Sequence, residues 1–106
     1  MSTPTPTQIS KKQIDAMKVI GDAYVLEIIG QLSRKSMRFN ELQRAIEDIC
    51  PTTLADRLKK LEHEKIVSRK EETLDKVSVV YSLTEKGQGI LPVIRAIGKF
   101  ADQFIK

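Results

Sequence analysis

One cysteine and one histidine in 106 residues exclude several kinds of chemistry at the outset. A lone thiol, Cys50, has no partner for an internal disulfide, which predicts an intracellular protein. Together with the single imidazole of His63 it leaves too few soft ligands for a zinc site. No apolar run approaches the roughly 20 residues of a membrane span. The first residues lack the basic-then-apolar layout of a secretory signal. No Ser/His/Asp set, paired carboxylates or Gly-rich phosphate loop is legible; Gly87 and Gly89 stand near a helix start without the spacing such a loop needs. Neither an enzyme nor a bound cofactor is expected.

What remains is a chain with room for one modest core. Its 41% hydrophobic and 30% charged residues are those of a globular protein with many exposed helix faces. The formal charge of +4 is small but unevenly placed: residues 34 to 70 hold ten Lys/Arg and six Asp/Glu, and the rest of the chain holds eight of each. The excess coincides with the motif described next, which favours a patch that meets phosphates over a randomly charged surface.

Phe39 to Glu62 reads as two short helices joined by a tight break, Asp48-Ile49-Cys50. The first covers about Asn40 to Glu47 and buries Leu42, Ala45 and Ile46. The second starts at Pro51, where a missing N–H costs nothing. Leu54, Leu58 and Leu61 fall at i, i+4 and i+7 and fix its buried side. Thr52, Asp56, Lys59, Lys60 and His63 then lie opposite, with Thr53 and Arg57 on a flank. This is the pattern of a helix-turn-helix, whose second helix enters the major groove of DNA.

The flanking segments support that unit. Residues 1–9, with Pro and Thr alternating and nothing to bury, are expected to be a mobile tail, leaving 10–106 as a single domain. Ser10 and Gln13 form a capping-box signal for a first helix carrying Ile14, Met17 and Ile20, which Gly21 ends. Asp22 can cap a second, with Tyr24, Val25, Ile28, Ile29 and Leu32 at helical spacing. Ile66 to Thr73 and Val77 to Leu83 read as a hairpin, with Val77, Val79, Tyr81 and Leu83 on one face. A hairpin directly after a recognition helix is a wing. Thr84 can cap a last helix, in which Pro92 predicts a kink or a delayed start. There Ile90, Ile94, Ile97, Ala101 and Phe104 repeat at alternating spacings of four and three, with Leu91 beside them. So apolar a helix, at the edge of so small a domain, predicts a homodimer, with Ile14 and Met17 of the first helix in the same interface; folding back on its own domain is the alternative.

Ile20-Gly-Asp-Ala-Tyr24, Met37-Arg-Phe-Asn-Glu-Leu42, Leu54-Ala-Asp-Arg-Leu-Lys-Lys-Leu-Glu62 and Tyr81-Ser-Leu-Thr-Glu-Lys-Gly87, followed by Leu91-Pro-Val93, resemble the HxlR-type winged-helix regulators, relatives of the MarR group. The likeness runs in order from about residue 10 to the end. It implies a mainly α fold with a small β-hairpin, a winged helix-turn-helix with N- and C-terminal dimerisation helices at about 10–20 and 84–105. It also implies a homodimeric bacterial or archaeal transcription factor, cytoplasmic and nucleoid-associated, more often a repressor, on an operator with two-fold symmetry. Tyr24 stands where the family usually has Trp. The cysteine through which many members sense oxidants, ahead of the first or second helix, has no counterpart here.

Thr52, Thr53, Asp56, Arg57, Lys59 and Lys60 are thus the candidates for the major groove. Arg57 suits guanine or phosphate, and Asp56 suits either cytosine or an i,i+4 pair with Lys60. Arg38 and Asn40 are placed to bind phosphates beside the third helix, and Arg44 more weakly. Arg69, Lys70 and Lys76 put charge on a wing whose acidic neighbours, Glu71, Glu72 and Asp75, argue for backbone contact over deep insertion. Cys50 at the start of the recognition helix is either a weak stand-in for a Ser cap or a redox switch. The competing assignment for the whole chain is a winged helix used as a protein-interaction module. No small-molecule effector is nominated.

Overall fold

The computed structural model describes residues 8–73 and 77–106, so most of the expected tail and the wing tip at 74–76, including Lys76, lie outside the described residues. The chain opens with α1, Lys11–Ile20, and α2, Ala23–Leu32. Both starts follow from their caps. Ser10 accepts from the Gln13 N–H (3.1 Å) while the Gln13 side chain accepts from the Ser10 N–H (2.8 Å), so both halves of the box form. Asp22 accepts from the Val25 N–H at 3.1 Å and starts α2 immediately after Gly21.

Next come β1 (Met37–Arg38), α3 (Phe39–Ala45) and α4 (Pro51–His63). The wing strands follow as β2 (Val67–Thr73) and β3 (Val77–Leu83), and the chain ends in α5 (Glu85–Gln88) and α6 (Leu91–Phe104). The third helix is shorter than the expected Asn40 to Glu47. Ile46 leaves helical geometry, and Asp48 takes a left-handed conformation (φ 64°), which turns the chain before Ile49 and Cys50. Asp is among the residue types that tolerate that region. The Tyr24 hydroxyl donates to the Asp48 carbonyl at 3.3 Å, tying the turn to α2. Ala45, the last residue of α3, is exposed, contrary to expectation, its place on the helix wheel lying beside and not beneath Leu42; Leu42 and Ile46 are buried as expected.

The core is one cluster drawn from α2 (Val25, Ile28, Ile29, Leu32), the α3 segment (Leu42, Ile46, Ile49), α4 (Leu54, Leu58, Leu61) and Ile66-Val67. The leucine ridge of α4 is buried along its length, at 0%, 1% and 0% exposure. Its C-terminus closes in a Schellman turn. The Ile66 N–H reaches the Leu61 carbonyl (2.9 Å), the Lys65 N–H reaches that of Glu62 (3.0 Å), and Lys65 sits at φ 64° where glycine is the usual occupant.

β2 and β3 pair antiparallel from Val67↔Leu83 to Thr73↔Val77. Met37-Arg38 adds an outer strand on β3, giving the order β1-β3-β2, a pairing the sequence did not suggest since two residues are too few to show alternation. Tyr81 and Leu83 turn toward the core, which anchors a hairpin otherwise too small to persist alone. At its base the Thr84 hydroxyl is shared between the Lys65 (2.7 Å) and Ile66 (2.9 Å) carbonyls and accepts the Gly87 N–H at 3.0 Å. Gly87 is buried here: a Cβ would press on the Ile66 carbonyl and on the Leu83 side chain, so only glycine lets α5 lie this close.

The expected single C-terminal helix is thus two helices, and Pro92 takes its place in the first turn of α6, the delayed start. Neither α1 nor α6 buries a residue completely.

Candidate nucleic-acid interface

With Leu54, Leu58 and Leu61 turned inward, helical geometry leaves the opposite face of α4 outward. Thr52, Asp56, Lys59, Lys60 and His63 are all exposed on it, and Thr53 and Arg57 are half-buried at its edge, the arrangement expected from the wheel. Pro51 begins the helix and Cys50 precedes it in extended geometry, without a side-chain cap.

Cys50 is exposed, with Sγ 3.1 Å from the Thr53 hydroxyl. That hydroxyl, with the backbone N–H groups of Thr53 and Thr52, favours the thiolate and outweighs desolvation, so the thiol is held below its ordinary value. Thr53 is thereby engaged with its neighbour, while Thr52 makes no side-chain hydrogen bond among the described residues.

The basic residues divide by what already holds them. Arg57 lies between two carboxylates: its Nε and Nη2 reach Asp22 Oδ2 at 3.2 and 3.1 Å, and its Nη1 reaches Asp56 Oδ2 at 2.7 Å. Burial by itself would raise the Asp22 carboxyl. The Arg57 hydrogen bond and charge and the Val25 N–H outweigh it, and Asp22 is held below the usual carboxylate value. The Arg57 guanidinium is correspondingly held in its protonated form, first by the Asp22 bond. Asp56 therefore pairs with Arg57 and not with Lys60, whose ammonium instead caps α1 by donating to the Lys18 carbonyl at 3.0 Å. In the sequence Asp22 shows only as a cap; its second oxygen has no visible partner there, since Arg57 is 35 residues away.

Arg38 starts α3, where its N–H donates to Glu41 Oε1 at 2.9 Å and thereby lowers the Glu41 pKa. Its guanidinium turns to the wing, donating from Nε to Ser78 Oγ (2.7 Å) and lying 3.6 Å from Glu72. Arg38 thus links the third helix to both wing strands, a contact no local pattern announced. Arg69 lies 3.4 Å from Glu71 across one strand position. Asn40, Lys59 and Lys70 are exposed, and neither lysine forms an ion pair among the described residues. Recognition-helix face, third-helix start and wing thus carry the expected polar groups, with Arg57, Arg38 and Arg69 each already partnered by a carboxylate.

Two further stretches, one on α1 and one on α6, are apolar and exposed. Ile14 and Met17 of α1 are 42% and 47% exposed, and Val93, Ile97, Phe100 and Phe104 of α6 are 42%, 48%, 59% and 62% exposed. The Phe100 and Phe104 rings lie tilted at 41° to one another with centroids 5.2 Å apart. Ile90, Leu91 and Ile94, expected on the same seam, are partly buried and pack against the protein's own core, and Ala101 is half-buried. Along α6, Leu91 and Ile94 therefore face the domain, while Val93, Ile97, Phe100 and Phe104 face outward.

The profile of the HxlR-like helix-turn-helix family matches residues 19–106. The HTH-type transcriptional regulator YodB of Bacillus subtilis is 37% identical over 93 residues, 88% of this chain and 83% of that protein. The reduced form of YodB superposes with a TM-score of 0.81 at 34% identity, covering 93% of this chain and 97% of that one. A structure from Porphyromonas gingivalis W83, described as a candidate regulator of the MarR family, superposes at 0.84 with 30% identity, covering 96% and 100%.

Proposed function

The chain belongs to the HxlR-like helix-turn-helix family of transcriptional regulators, and on that premise we propose that it is a homodimeric, sequence-specific DNA-binding repressor acting in a bacterial or archaeal cytoplasm. One observation carries the reading: the leucine ridge of α4 is wholly buried, so the face bearing Thr52, Asp56, Lys59 and Lys60 is left exposed, with Lys60 reaching back to the Lys18 carbonyl of α1. A helix so exposed fits the major groove.

In this arrangement Thr52, Thr53, Asp56 and the flank at Arg57 approach base edges, while Lys59, Asn40 and Arg38 meet phosphates. Residues 66–83 form the wing, with Arg69 and Lys70 along the backbone or at the edge of the minor groove. The outward apolar turns of α6, with Ile14 and Met17 of α1, pair with a second copy. Two recognition helices then address a palindromic operator whose half-site centres lie about 34–36 Å, or a multiple of that, apart.

Selection of bound duplexes from random DNA with the full chain tests this. The expected result is a palindromic consensus, and an affinity that falls with salt by about one log-log unit per phosphate neutralised. Binding without sequence preference would overturn the reading in favour of a protein-interaction module.

A further inference from the structure

The triad Asp22–Arg57–Asp56 bears on what α4 reads. Arg57 is the one arginine on the recognition helix, and an unencumbered arginine there would seek guanine or a phosphate. This one is not unencumbered. Three of its N–H contacts are already committed, two to Asp22 Oδ2 (3.2 and 3.1 Å) and one to Asp56 Oδ2 (2.7 Å). The three groups together carry a net charge of −1, so their combined field repels phosphate and the acceptor edge of guanine. Asp22 is itself fixed, because its other oxygen accepts the Val25 N–H at 3.1 Å at the start of α2. Asp56 is different: its side chain is 69% exposed, with only Oδ2 in use among the described residues. The group this network offers outward is therefore a hydrogen-bond acceptor.

We propose that Asp22 is a positioning residue for base recognition: through Arg57 it holds the Asp56 carboxylate toward the major groove, so that each half-site carries a cytosine whose N4 amino group donates to Asp56. The inference rests on the DNA-binding reading above. It assigns to Arg57 the role of a strut and to Asp56 the role of reader, with Asp22, on a different helix, determining which of the two faces the bases.

The experiment repeats the selection from random duplexes with the full chain and with Asp56→Ala and Asp22→Ser, each first checked for a cooperative melt. Serine keeps an N-cap oxygen for α2 but is too short to hold Arg57. The wild type is expected to select cytosine at one fixed position of each half-site. Asp56→Ala is expected to lose that preference by about tenfold while the rest of the site is unchanged. Asp22→Ser is expected to move the preference at that same position toward guanine, because the released guanidinium can reach it. If the wild type selects a palindrome but Asp22→Ser lowers affinity uniformly without changing any base, the ion pair is structural and the proposal fails alone. Should Asp22→Ser not fold, Asp22→Asn takes its place, keeping the cap oxygen but losing the charge that holds Arg57, and an unaltered preference at the cytosine position in it or in Asp56→Ala overturns the proposal. A wild type with no consensus at all overturns the DNA-binding reading and this inference with it.

Discussion

Replacing Ile97 with Asp separates the outward apolar face from the domain's own core. Ile97 is 48% exposed, on the part of α6 that turns away from the core. Fully burying an isoleucine side chain is worth about 1.5–3 kcal/mol, so covering its remaining half contributes about 1 kcal/mol. A two-fold interface counts that contribution twice. A carboxylate forced into the same contact adds a desolvation penalty of several kcal/mol if it finds no partner. The combined loss is at least about 4 kcal/mol, or about a thousandfold in the dimer dissociation constant. The isolated domain should hardly notice, since surface substitutions of this kind shift stability by about 0.5 kcal/mol. Sedimentation velocity at micromolar concentration should show a monomer, and operator affinity should drop about a hundredfold or more through lost bivalency. Ile94→Ala is the internal control. Its side chain packs partly on the core, so it should cost the fold about 1–2 kcal/mol, below the 2–5 of a fully buried site. An Ile97→Asp variant that still sediments as a dimer would refute the placement of the interface.

Leu58→Ala removes the centre of the buried α4 ridge and should cost about 2–5 kcal/mol in urea-unfolding free energy, a large share of a small domain's stability. Lys65→Gly should stabilise by about 0.5–1 kcal/mol, because a left-handed residue in a Schellman turn favours glycine; a lower melting temperature would contradict it. Acid stability follows from Asp22 and Glu41, whose folded carboxyls lie below their ordinary values of 3.8 and 4.5. Their contribution is fully present above the unfolded values and is lost as pH falls through the folded ones, because the unfolded chain binds protons first. The urea midpoint should therefore decline below about pH 4.5, and less steeply in Asp22→Ser.

Local rules sufficed wherever one stretch of chain settles its own geometry. The Ser10/Gln13 box, the Asp22 cap, Pro51 at a helix start, the ridge of Leu54, Leu58 and Leu61 and the strands flanking the wing all obey short-range periodicity and capping chemistry, and all are present. The charge excess between 34 and 70 and the ordered motifs along the chain were equally plain in one dimension. Three-dimensional packing decided the remainder. It joined Met37-Arg38 to β3, sent the Arg38 guanidinium to Ser78, placed Lys60 on the Lys18 carbonyl and turned Ile94 inward while Ile97 faces out. Above all it set Arg57 between Asp22 and Asp56, so that a cation prominent in the sequence is neutralised in the fold. The reason is physical: hydrogen-bond and ion-pair partners are chosen by distance in space, and residues 35 apart in sequence meet only after the helices that carry them have packed.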